Sequence, residues 1–147
     1  MKQFLIAACT AAALLPALAQ AQFAKAEDAV KYRESVMTLL SAHSGRIVGM
    51  TKGQPAFDAA AVQSNVAVLQ TLAKLPWPAF GPGYEGGKAK EGVWKDTAKF
   101  KQASDKLQDS VGKLAAAAQS GDQGQVRTAV GDMAGACKGC HDDFRSR

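Results

Sequence analysis

The chain is poor in the residues that usually announce chemistry. Its 147 residues include three cysteines and two histidines, and aromatic residues make up 7%. Three cysteines do not make a disulfide scaffold, and a chain of this length buries enough core to do without one. Charge of one sign is missing as well. Eighteen Lys and Arg against thirteen Asp and Glu leave a net charge of +5, with the acids mixed throughout. No basic stripe with interleaved aromatics marks a nucleic-acid partner, and the charges read as a solvated, soluble surface. No segment alternates with the period of a strand. Beyond the opening residues there is no apolar run long enough to span a membrane.

The one long apolar run is at the start. Lys2 precedes FLIAACTAAALLPALA, which closes on Ala17-Leu18-Ala19 and Ala19-Gln20-Ala21. Both triplets fit a small-x-small cleavage site, so residues 1–21 read as a cleaved secretory signal peptide and Gln22 as the first mature residue. The stretch is short for a membrane helix and is interrupted by Pro16. Ile6-Ala7-Ala8-Cys9 has the form of a lipobox, but few apolar residues precede it and a better site lies downstream. Cleavage removes Cys9 and lowers the net charge by one. It leaves a single domain over 22–147 in the periplasm, with no membrane attachment.

Four segments carry helical periodicity. The first runs from about Glu27 to Met50, with Val30, Val36, Met37, Leu40, Ile47 and Met50 along one stripe. The second follows Asp58 as N-cap, places Val62, Val66, Leu69 and Leu72 on one face, and stops before Pro76. The third begins near Val93 or Trp94. Its Phe100, Ala103, Leu107, Val111, Leu114 and Ala118 step by three and four to Ser120-Gly121. The fourth follows Asp122 and continues that rhythm through Val126, Val130, Met133, Cys137, Cys140 and Phe144. Four amphipathic helices with mostly short loops predict an all-α, antiparallel up-down-up-down bundle. A helix of about twenty residues would span roughly 30 Å.

The long connection is PWPAFGPGYEGGKAKEG, whose Pro and Gly content marks a loop. Long loops in compact domains are often functional. Trp77, Phe80 and Tyr84 within it either cap the end of the bundle or contact a cofactor.

What chemistry there is gathers near the C-terminus, in Cys137-Lys138-Gly139-Cys140-His141. On a helix Cys140 and His141 lie three and four residues beyond Cys137, so all three share neighbouring faces. Two thiols so placed can add across the vinyl groups at one edge of a porphyrin, while the imidazole ligates the iron. CxxCH is the haem c attachment pattern, and attachment of that haem takes place outside the cytoplasm, where this chain is sent. A thioredoxin-like dithiol belongs at a helix N-terminus beside a βαβ pattern, which is missing. A structural zinc site needs four ligands, and His43 is the only further histidine.

With the motif at the end of a four-helix pattern, the mature chain resembles the cytochrome c prime family of class II cytochromes c. QFAKAEDAVKYRESVMTLL, LPWPAFGPGYEGG and ACKGCHDDFR carry the resemblance. It implies one covalently bound haem c per chain on Cys137 and Cys140, with His141 as axial ligand. It places Arg145 beside that imidazole, Arg33 near a haem propionate, and Met37 over the distal face. From the residues alone, Arg33 is as readily a surface charge and Arg145 part of a frayed terminus. The family also implies a homodimer through the first two helices, where Leu39, Ala60 and Val68 fall off the main stripe. These three are equally readable as isolated surface groups.

Function turns on what lies opposite His141. The candidates are Met37, His43, Met50 and Met133. Met133 is on the same helix as the motif, and His43 lies towards the far end of the first helix, where a locally bonded histidine is the ordinary case. Met37 either roofs an open, five-coordinate high-spin site or ligates the iron. The first reading is a binder of nitric oxide and carbon monoxide, with redox exchange to an unidentified partner. The alternative is a low-spin electron-transfer cytochrome. The flanking sequence resembles the high-spin group more closely. The apolar stripe around Met37 predicts a distal pocket without a hydrogen-bond donor, and without the acid–base residue of a peroxidase. No catalytic residue is assigned.

Overall fold

The structure, a computed structural model, describes residues 22–147. The expected signal peptide, with Cys9, lies outside the described residues. The elements are α1 (Ala26–Thr51), α2 (Ala59–Leu72), a 3-10 turn (Trp77–Phe80), α3 (Gly92–Lys95), α4 (Thr97–Ser120) and α5 (Gln123–Phe144). The four long helices form the expected antiparallel bundle, and α3 is a single turn. Each long helix packs on two others in a closed ring, α1 on α2, α2 on α4, α4 on α5, and α5 back on α1.

Local chemistry sets most of the ends. Asp58 accepts from the amides of Ala60 and Ala61 at 2.9 and 3.1 Å and starts α2. Asp122 accepts from the Gln125 amide at 2.7 Å and starts α5. These bonds satisfy N–H groups that a helix start leaves without partners. Glu27 and Asp28 sit in the first turn of α1, favourably placed for the helix dipole. Gly121, at φ 70°, turns the chain out of α4 in a left-handed conformation that suits glycine. α2 stops at Leu72, before Pro76 as expected. One end differs from expectation. The third segment is broken after Lys95, because Asp96 leaves the helical conformation and caps a new helix by accepting from the Lys99 amide at 3.0 Å.

The core follows the sequence stripes. Val62, Val66, Leu69 and Leu72 of α2 are buried, and Ile47, Val111, Leu114 and Val126 meet them from the other helices. The stripes fail at one end of the bundle. Met37, Phe100, Ala103, Cys137 and Cys140 occupy core positions yet are only half-buried. The space they leave is the candidate site, and it opens in the α1–α5 seam, the loosest of the four.

Candidate haem site

The last turns of α5 present Cys137, Cys140 and His141, all half-buried, and neither thiol is in a disulfide. A cavity of about 720 Å³ lies against Cys140 and His141, and a deeper one of about 210 Å³ continues past Cys137. The larger falls in the range of small-molecule and cofactor sites. The two cavities share five lining residues: Met37 and Ser41 of α1, Trp77, and Cys140 and His141 of α5. The place where the two cavities adjoin therefore sets Met37 and Ser41 among the same walls as His141.

One wall is aromatic. Trp77 and Phe80 stack with centroids 6.3 Å apart, Phe80 meets Phe100 edge-on at 5.0 Å, and Phe100 meets Phe144 at 5.2 Å. The Trp77 indole donates to the Ala73 carbonyl at 2.7 Å, which fixes the ring's direction. Two of the three loop aromatics thus line the cavity. Tyr84 does not. Its ring packs edge-on against Phe23, and its hydroxyl exchanges bonds with the Phe23 backbone at 3.2 Å. Phe100 and Phe144 read as bundle seam in the sequence, and nothing in their spacing distinguishes a seam from a cavity wall.

Arg33 is not a surface charge; it is 3% exposed. Nη1 donates to the carbonyls of Ala79 and Tyr84, and Nη2 to that of Gly86, each at 2.7 Å. The guanidinium lies 4.5 Å from the Phe80 centroid. Burial lowers its pKa from the ordinary value, and Glu34 and Glu85 oppose that. Three of five N–H donors thus hold the loop onto α1, and the side chain still lines the larger cavity.

Nor is the C-terminus frayed. α5 ends at Phe144, and Arg145 turns extended while its amide still donates to the His141 carbonyl at 3.0 Å. The loop then pairs with it: Lys90 N donates to Phe144 O and Ser146 N to Lys88 O, both at 2.9 Å. This zipper keeps Arg145 beside His141. With Lys90, Lys138 and Arg147 it also rims a solvent-open hollow on which His141 borders.

Electrostatics separates the chemistries open to the motif. Burial raises the Cys137 pKa, and burial with the Cys137 and Asp143 charges pushes Cys140 up to about 11. Both are therefore protonated at neutral pH, opposite to the depressed thiol of a dithiol redox site. Burial lowers the His141 pKa, Arg145 adds to this and Asp142 opposes it, so the imidazole is neutral as an iron ligand must be. Among the described residues no three His, Cys, Asp or Glu side chains gather to hold a bare metal ion. The donor set is spread along one apolar wall and fits a flat macrocycle better than zinc. His43 is engaged elsewhere, its Nδ1 2.9 Å from Asn65 Oδ1, and lines neither cavity.

The α1 wall departs from expectation. Beside Met37 the larger cavity is lined by Glu34, Thr38 and Ser41, so this face is not wholly apolar.

Residues 28–145 match the family model described as Cytochrome C'. The chain is 52% identical over 126 residues to cytochrome c' of Alcaligenes xylosoxydans xylosoxydans, covering 86% of this chain and 99% of that one. A solved structure of Alcaligenes xylosoxidans cytochrome c prime, a ferrous arginine-to-lysine variant with bound NO, superposes with a TM-score of 0.83. It is 51% identical and covers 86% of this chain and 99% of that one. A carbon monoxide-bound leucine-to-glycine variant of the same protein has a TM-score of 0.83 at 52% identity, over 86% of this chain and all of that one. The cofactor that goes with this kinship is covalently bound haem c, for which the thiols, the neutral imidazole and the apolar slot are suited. Matched over nearly its whole described length in both sequence and fold, the chain belongs to the cytochrome c' family.

Proposed function

We propose that this chain is a periplasmic haem protein that binds small gases, chiefly nitric oxide and also carbon monoxide, at an open axial position. The carrying observation is the junction of the two cavities, where His141 and Cys140 share walls with Met37. A bound haem supplies an iron that accepts a diatomic ligand. The protein does the rest. Cys137 and Cys140 would hold the haem at one edge through thioethers, each S–H adding across one vinyl group. His141 would ligate the iron from α5, with Arg145 beside it, and Met37 would roof the space across from His141. Trp77, Phe80, Phe100 and Phe144 exclude water, and the two N–H donors that Arg33 has not given to carbonyls are suited to a propionate. The relatives solved with NO and with CO support the ligand class.

A second reading rests on the same residue. Among the described residues Met37 is the one methionine lining both cavities, and as a sixth ligand it would make the protein a low-spin electron carrier. The optical spectrum of purified holoprotein decides between them. An open site gives a broad high-spin ferrous spectrum without a sharp α band, takes up NO and CO, and keeps its spin state in Met37→Ala, which binds CO faster. A low-spin wild type that turns high-spin in Met37→Ala overturns the gas-binding reading.

Assembly and redox exchange belong to the same proposal. Leu39 on α1 and Val68 on α2 are 47% and 38% exposed, and Ala60 in the first turn of α2 is exposed as well. They supply apolar surface for a homodimer through α1 and α2. The basic rim around the hollow beside His141 suits a redox partner with an acidic face.

A further inference from the structure

We infer that Ser41 is a ligand-discriminating residue, whose hydroxyl donates a hydrogen bond to a diatomic gas held between Met37 and His141. The inference rests on the gas-binding reading and adds a polar contact to it. Three observations carry it. Ser41 is one of five residues lining both cavities, at the place where they meet. It lies four residues beyond Met37 on α1, so the two side chains are neighbours on one face. Its hydroxyl is also uncommitted. Of the five serine and threonine hydroxyls on α1, Ser35 donates to Lys31 O, Thr38 to Glu34 O, Ser44 to Ser41 O and Thr51 to Val48 O. Ser41 Oγ alone has no partner among the described residues.

A helical serine commonly returns its hydroxyl to the preceding turn, which removes it from other chemistry. Thr38 shows this on the same wall: it lines the larger cavity, but its hydroxyl is engaged at 2.9 Å. Ser41 is therefore the α1 hydroxyl free to serve a guest. Distal hydrogen-bond donors are among the levers that set which gas a haem holds, because they favour the charge that builds on the ligand's outer atom. Ser41 is exposed, so the bond to a guest replaces one to water. The net gain is that of an ordinary exchanged hydrogen bond, about fivefold in affinity. Carbon monoxide is the probe, since a donor at its oxygen weakens the C–O bond and lowers its stretching frequency.

The experiment compares wild type, Ser41→Ala and Thr38→Val as CO-bound holoproteins. Infrared spectroscopy reads the C–O stretch and stopped flow reads CO dissociation. Alanine is the better helix former, so Ser41→Ala will fold. The expected result is a higher stretching frequency and roughly fivefold faster dissociation in Ser41→Ala, with Thr38→Val unmoved on both. An unchanged stretch in Ser41→Ala overturns the inference. So does a Thr38→Val shift as large as that of Ser41→Ala, because general wall polarity would then be the cause. A wild type that takes up no CO removes the gas-binding reading itself, and this inference with it.

Discussion

Replacing Arg33 by lysine tests whether one buried cation holds the cavity's loop in place. The guanidinium fork reaches three carbonyls, those of Ala79, Tyr84 and Gly86, at 2.7 Å each. An ammonium on a flexible stem keeps the charge but cannot reproduce a planar fork. The cost depends on where each abandoned carbonyl lies. Ala79 is 0% exposed, so a carbonyl left there without a donor costs about 1–3 kcal/mol. Tyr84 is half-buried and costs less, and exposed Gly86 can turn to water. Losing the guanidinium over the Phe80 ring adds about 0.5–1 kcal/mol. If the ammonium recovers one carbonyl, Arg33→Lys loses about 2–3 kcal/mol, which for a domain of this size lowers Tm by roughly 10 °C. Circular dichroism of the holoprotein measures the melt. Hydrogen exchange then asks where the loss falls. The amides of Ala79, Gly81 and Tyr84 should lose protection, while that of Leu114 in the core keeps it. A variant melting within about 2 °C of wild type, with these loop amides still protected, would refute the claim that Arg33 holds the loop.

Three further outcomes are expected. Haem should stay on the wild-type chain through acid–acetone extraction, with an intact mass of the chain from Gln22 plus one haem; Cys137→Ala with Cys140→Ala should lose it, and freely extracted wild-type haem would contradict the thioether assignment. Gly87→Ala should cost about 1–3 kcal/mol by thermal melt, because Gly87 sits at φ +59° and a Cβ there would lie 2.8 Å from Val30 Cγ1 and 3.0 Å from Glu34 Oε1; an unchanged melt would show that the loop moves freely off α1. Leu39→Glu with Val68→Glu should turn a dimer into a monomer in sedimentation, and a wild type already monomeric at micromolar concentration would remove the dimer.

What could be read from the sequence and what could not divides along the range of the interactions. The caps at Asp58 and Asp122 act on amides two or three residues away, so their chemistry is visible in a short window. Asp96 works the same way, and reading its cap would have placed the break that the apolar rhythm across Val93 and Phe100 conceals. CxxCH is equally local, since one turn of helix brings its three side chains together. Arg33 is the opposite case. Its partners lie 46, 51 and 53 residues ahead and are backbone carbonyls, which no side-chain pattern announces. A buried arginine and a surface arginine on helix one look alike until the loop is folded over it. The cavity was hidden for a related reason. Phe100, Cys137 and Cys140 obey the seam spacing, and periodicity says which face a residue takes but not whether another side chain meets it there. Ser41 shows how far this goes. Its place one turn beyond Met37 is in the sequence, and so is its hydroxyl. That the hydroxyl is free depends on a rotamer, and on what Ser35, Thr38, Ser44 and Thr51 do with theirs. The distal wall looked apolar because a serine in a helix is ordinarily silent; with four of the five bonded to their own backbone, the fifth is the one that can speak to a ligand.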